Sequence, residues 1–261
     1  MDSSSREIAA DDLPSARAGL GVRAATLRYD GVALFEDLDF DLHPGETVAL
    51  LGVSGIGKSS LLRLIAGLET GGECRAGLTF DGAPLRPDQV SWMGQSDLLL
   101  PWLSVLENTV LGARLRGEAP ERGRARDLLA TLGLGEDLDK PPRQLSGGMR
   151  QRTALARTLM EDRSLVLMDE PFSALDALTR YRLQDLVVER LAGRSVLLVT
   201  HDPMEAARMA DRVLVLSGRP ARLHAAELPP EPPPRDPGDQ ALQAVLRDLL
   251  HLLGEATENP A

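Results

Sequence analysis

Two short stretches carry residues whose types and spacing suit phosphate chemistry. "GVSGIGKS", Gly52 to Ser59, fits G-x-x-x-x-G-K-[ST] and lies between an apolar run, "TVALL", and a helical pattern, "SSLLRLIAGL". That is the setting in which such a loop cradles phosphates. Gly55 and Gly57, with Gly52 and Ser54 in the same loop, let the backbone wrap closely around the anion, and the helix start adds its partial positive charge. Lys58 would reach the β- and γ-phosphates, and the Ser59 hydroxyl, followed by Ser60, would ligate Mg²⁺. The second stretch, "SLVLMDEP", ends an apolar strand in Asp169 and Glu170, at the sheet edge where ligands of open α/β folds sit. Asp169 would hold Mg²⁺ through water, and Glu170 is placed to orient and polarise an attacking water. Alone, the first could be a chance glycine-rich turn and the second a capped turn; paired, they point to a nucleoside triphosphate. A further glycine-rich helix start, "LSGGMRQR" (Leu145 to Arg152), lies far downstream and raises the question of what a second phosphate-like cradle would hold.

The elements that must position these residues follow from periodicity. "TVALL", "SLVLM" and "SVLLVT" are nearly continuous apolar runs, as in central parallel strands buried on both faces. "ATLRYD" and "LDFDL" alternate instead, as half-buried antiparallel strands do. Helical patterns lie between: "KSSLLRLIAGL", "RARDLLATLGL", "TALARTLMED", "TRYRLQDLVVERLA" and "PMEAARMA". The alternation predicts an α/β fold with a mostly parallel sheet. The stretch from about Gln95 to Asp162 shows no convincing strand and reads as a helical insert. Residues 1–21 read as a disordered extension, 22–228 as the main domain and 229–239, "PPEPPPRDPGD" at its heart, as a stiff linker. Residues 240–254 follow as an amphipathic helix, with Leu242, Val245, Leu246, Leu249 and Leu253 on one face, and 255–261 as a tail.

Composition narrows the partners. The 261 residues carry a net charge of −10, which argues against duplex nucleic acid, whose binding needs clustered Lys and Arg. A single cysteine, Cys74, leaves no intrachain disulfide, and the four histidines are too scattered for a metal site. No run approaches the ~18 apolar residues of a membrane span. The Asn-Lys-x-Asp motif of common guanine readers is absent, the only asparagines being Asn108 and Asn259.

The order "LSGGM", "MDEP", "SALD", "VTHD" behind the phosphate loop resembles the ATP-binding-cassette (ABC) ATPases, from Ala24 to about Arg235. The resemblance implies a P-loop NTPase fold: a RecA-like core with a mostly parallel sheet, an antiparallel β subdomain and an inserted α-helical subdomain at about 95–162. It implies ATP and Mg²⁺ as cofactors, with Tyr29 stacking on adenine. Gln95 would sense Mg²⁺ and the attacking water, and His201 would stabilise charge at the γ-phosphate. Asp176 would link two subunits. In this family two copies pair head to tail, so Ser146, Gly147 and Gly148 would close over the phosphate held by the other copy's loop. Met149 departs from the family's commoner Gln, but the phosphate contacts come from the serine and backbone N–H groups.

Lacking a membrane span, the chain is expected to act with a separate permease, on the cytoplasmic side of the inner membrane, and indirectly with a periplasmic solute-binding protein. Its partner ATPase subunit would be an identical copy. "LLLPWLSVLENTVLGARLRG", "MDEPFSALDALTR" and "PPPRDP" resemble the importer branch serving nitrate, taurine, aliphatic sulfonates and the hydroxymethylpyrimidine precursor of thiamine, and "GQSDLLLPWLSVLENTVLGARLRG" leans to the last of these. An efflux or lipoprotein-release ATPase is the alternative, against which the "PFSALDALTR" and "PPPRDP" segments count.

Overall fold

The computed structural model describes residues 19–258. Strands β1 (Leu20–Tyr29) and β2 (Val32–Leu42) form an antiparallel hairpin, and β3 (Thr47–Leu51) leads through the glycine-rich loop into α1 (Lys58–Ile65). Next come β4 (Glu73–Phe80), the short β5 (Ala83–Pro84) and β6 (Val90–Met93). Helices α2 (Val105–Thr109), α3 (Leu111–Leu115), α4 (Arg122–Thr131) and α5 (Gly147–Leu159) then follow without an intervening strand. The chain continues through β7 (Leu165–Asp169), α6 (Ala177–Arg190), β8 (Ser195–Thr200), α7 (Pro203–Met209), β9 (Arg212–Ser217), β10 (Arg222–Ala226) and α8 (Gln240–Glu258).

Two sheets result. One is antiparallel in the order β2-β1-β4-β5; the other has six strands in the order β10-β9-β3-β8-β7-β6, parallel except for β10. The three apolar runs are its centre, and their residues divide by the two-residue period of a strand. Val166, Met168, Val196 and Leu198 face a core shared with α2, α4, α5 and α6. Leu165, Leu167, Leu197 and Val199 face the antiparallel sheet and α1. Burial on both faces is why these strands read as unbroken apolar runs.

At the N-terminus, Leu20 and Gly21 pair with Leu42 and Asp41, so the last residues assigned to a disordered extension belong to a strand; the rest of that extension lies outside the described residues. The apolar stripe of α8 packs on α7 and β9, with Leu242 and Leu249 fully buried and Val245, Leu252 and Leu253 against the same cluster. The proline-rich segment before it is pinned by Arg235. Its guanidinium donates to the carbonyls of Ala207 and Ala210 at 2.7 Å each and of Pro229 at 3.2 Å, capping the otherwise open end of α7.

Candidate functional site

The loop at 52–59 is shaped by close backbone approaches. Gly57 sits at the N-cap of α1 with φ +111°, and a Cβ there would lie 2.9 Å from the Leu34 side chain. A Cβ on Gly52 would lie 2.7 Å from the carbonyl oxygen of Leu216, so β9 and the loop touch only because that residue is glycine. Lys58 is buried, its ammonium donating to the carbonyls of Gly52 (2.7 Å) and Val53 (3.0 Å). Burial lowers its pKa, opposed by the charges of Glu170 and Asp169. A poorly hydrated cation held over the loop is suited to receiving phosphate oxygens.

Two neighbouring strands bring the acids to this loop. Asp169 ends β7, and its Oδ1 accepts from Ser59 Oγ at 3.0 Å. Burial raises its pKa against the lowering effect of that hydrogen bond. Oxygen donors of this kind converging on one point suit Mg²⁺. Glu170 follows in the left-handed region, φ +50°. Its N–H donates to Val199 of β8 at 2.9 Å, while its carbonyl accepts from Gln151 Nε2 and Ser173 Oγ, both at 3.1 Å. Its carboxylate meets His201 Nδ1 at 2.9 Å, and His201 follows the last residue of β8. Lys58, Ser59, Asp169, Glu170 and His201 therefore cluster at the carboxyl ends of three adjacent parallel strands, β3, β8 and β7.

The remaining residues singled out from the sequence stand elsewhere. Tyr29 ends β1 exposed, its hydroxyl donating to the Thr70 carbonyl at 2.7 Å. Gln95 is exposed just after β6. Ser146 is the N-cap of α5, accepting from the Met149 N–H at 3.2 Å. Asp176 caps α6 through the Thr179 N–H at 3.0 Å, a bond that lowers its pKa. Among the described residues no hydrogen bond joins Ser146, Gly147, Gly148 or Asp176 to the loop at 52–59.

Four side chains not singled out from the sequence tie these pieces together. Gln151 reaches from α5 to Glu170. Arg150 pairs with Asp97 at 3.0 Å, and Arg157 donates to the carbonyls of Asp97 and Leu98, so α5 also holds the segment after Gln95. Arg180 joins the Leu175 carbonyl (3.1 Å) to Asp202 (3.4 Å). Gln151 carried one legible signal, a polar residue on the face of α5 that also buries Ala154, Leu155 and Thr158.

Comparison with known proteins agrees with this geometry. A family model described as ABC transporter matches residues 35–173. An ABC transporter ATP-binding protein of Haemophilus influenzae is 44% identical over 89% of this chain and 98% of its own. The aliphatic sulfonates import ATP-binding protein SsuB 1 of Xanthomonas axonopodis pv. citri is 43% identical over 90% of this chain and 96% of its own. That of Pseudomonas fluorescens is 45% identical over 93% and 89%. Among solved structures, a dimeric ATP-binding cassette in a post-hydrolysis state with ADP and Pi aligns with a TM-score of 0.72 at 26% identity, over 81% of this chain and all of the other. A component of the cbiONQ ABC transporter complex from Clostridium perfringens aligns at 0.66 and 25% identity, over 80% of this chain and 87% of its own.

Proposed function

Because this chain belongs to the ABC transporter family of ATP-binding cassettes and is an ATPase, we propose that it energises uptake of an aliphatic sulfonate through a separate membrane permease. The observation that carries the catalytic part is the convergence of Lys58, Ser59, Asp169, Glu170 and His201 at one sheet edge. Loop N–H groups and Lys58 bind the phosphates of ATP. Ser59 and Asp169 would hold Mg²⁺, which supplies charge neutralisation when bound. Glu170 orients the attacking water and takes its proton, steadied by His201. Tyr29 packs on the base, and Gln95 meets the site from the side of the helical segment.

Ser146, Gly147, Gly148 and Asp176 act across a dimer of two copies. Their own subunit uses them as helix starts and joins them to its phosphate loop by no hydrogen bond among the described residues. The working assembly is two such subunits on the cytoplasmic face of an inner membrane, below a permease fed by a periplasmic solute-binding protein. No helix among the described residues is long and apolar enough to cross a membrane.

The sulfonate assignment rests on the names of the relatives. They favour import over the efflux alternative, and sulfonates over the hydroxymethylpyrimidine suggested by the 94–117 segment. Glu170→Gln tests the mechanism. It is expected to bind ATP, to accumulate as an ATP-bound dimer on size-exclusion chromatography, and to lose on the order of 10²–10⁴-fold in turnover. A variant that stays monomeric with wild-type turnover overturns the scheme. Uptake assays with sulfonates, taurine, nitrate and hydroxymethylpyrimidine in cells lacking the gene identify the solute.

A further inference from the structure

We propose that Gln151 is a positioning residue for hydrolysis: from the helix that Ser146 opens, it fixes the left-handed turn at Glu170 of its own subunit. The inference rests on the reading of Glu170 as the residue that orients the attacking water. Glu170 is a non-glycine residue at φ +50°, a strained conformation that persists only where its surroundings over-determine it.

Gln151 supplies much of that determination. Its amide, 7% exposed, makes three hydrogen bonds, all to the five residues that begin at Glu170. Nε2 donates to the Glu170 carbonyl and to Ser173 Oγ, both at 3.1 Å, and Oε1 accepts from the Ala174 N–H at 2.9 Å. Ser173 Oγ donates to the same Glu170 carbonyl at 3.1 Å. A buried primary amide with both ends satisfied by one turn sets that turn's orientation relative to α5.

The consequence concerns two sites at once. The N-terminal end of α5 carries Ser146, Gly147 and Gly148, offered to ATP on the second subunit, while Gln151, five residues beyond Ser146, holds the water-orienting carboxylate of the first. A shift of α5 that seats its N-terminus on one ATP therefore moves the Glu170 turn that serves the other. Gln151 is the hydrogen-bonded side chain that joins them.

The test is steady-state ATP hydrolysis by the full chain, with turnover expressed per ATP bound. Gln151→Met keeps the length and removes all three bonds. Gln151→Glu keeps the acceptor for the Ala174 N–H and removes donation to Glu170. Each is expected to lower kcat about tenfold to a hundredfold with KM for ATP within about twofold of wild type. Ser173→Ala, an exposed position without folding risk, removes the second donor and is expected to lower kcat in the same KM-neutral way. Because Gln151 acts through Glu170, adding Gln151→Met to Glu170→Gln should leave the residual turnover unchanged. Wild-type kcat in the folded Gln151 and Ser173 variants, or a further loss in the double variant, overturns the proposal. Wild-type turnover by Glu170→Gln alone would overturn the reading of Glu170 instead.

Discussion

Lys58 spends its ammonium on two carbonyls of its own loop, and Ser59 spends its hydroxyl on Asp169. All three bonds are local substitutes for what phosphate and metal would offer, so binding exchanges partners instead of desolvating bare groups. The loop's backbone must already be in place for that exchange. Gly57 resists replacement, since alanine there would meet both an unfavourable φ and the Leu34 side chain. Gly57→Ala is expected to weaken ATP binding at least about tenfold, a loss of about 1.4 kcal/mol, while the far-UV circular dichroism stays that of the wild type. Isothermal titration with ATP decides it: wild-type affinity would mean that the turn tolerates a side chain. The motif "GVSGIGKS" made this part of the site legible, because its chemistry is local. The role of Gln151 was not legible beyond its place on the buried face of α5, because it depends on a turn nineteen residues later in the chain.

At the scale of elements, the central strands were readable for a simple reason: burial on two faces demands continuous apolar sequence. β4, "ECRAGLTF", is mostly exposed and polar, and exists because β1 pairs with it over most of its length. β6, "VSWM", is only four residues and is recruited at the edge of the sheet beside β7. Neither has a pattern that local propensity could separate from a loop. Helix α7 shows a different kind of hidden cost. Glu205 on it is buried, and its pKa is pushed up to about 7 mainly by burial, with Asp202 adding to the shift and hydrogen bonds from Thr200 and Gln184 opposing it. Between about 4.5 and about 7 the folded chain keeps this proton while the unfolded chain has lost it. The group therefore lowers stability as pH rises through that window, and its penalty is complete above it. Glu205→Gln should raise the melting temperature relative to wild type by more at pH 8 than at pH 5. Differential scanning calorimetry at the two values checks the sign, and an equal shift at both would show that Glu205 does not titrate in that window.

Over the whole molecule, the residues divide into a set assembled within one chain and a set that is not. The first occupies the ends of β3, β7 and β8; the second, from Ser146 to Gly148 with Asp176, stands at the starts of α5 and α6. This division bears on what the second glycine-rich helix start, "LSGGMRQR", would hold, and it accords with a cassette that works in pairs. The segment after Gln95 presents a third surface, with Leu98 and Trp102 at 58% and 75% exposure, braced from behind by Arg150 and Arg157. An apolar pair this open on a firmly held loop suits contact with another protein. Trp102→Glu is expected to abolish solute uptake by the assembled transporter while ATP affinity stays within about twofold of wild type. Unchanged uptake would place the permease contact elsewhere. The chain's two tryptophans, Trp92 and Trp102, stand on either side of Gln95, one half-buried in β6 and the other in solvent. The molecule's tryptophan emission thus arises from this one region, so a spectrometer reads the covering of that loop without any attached label.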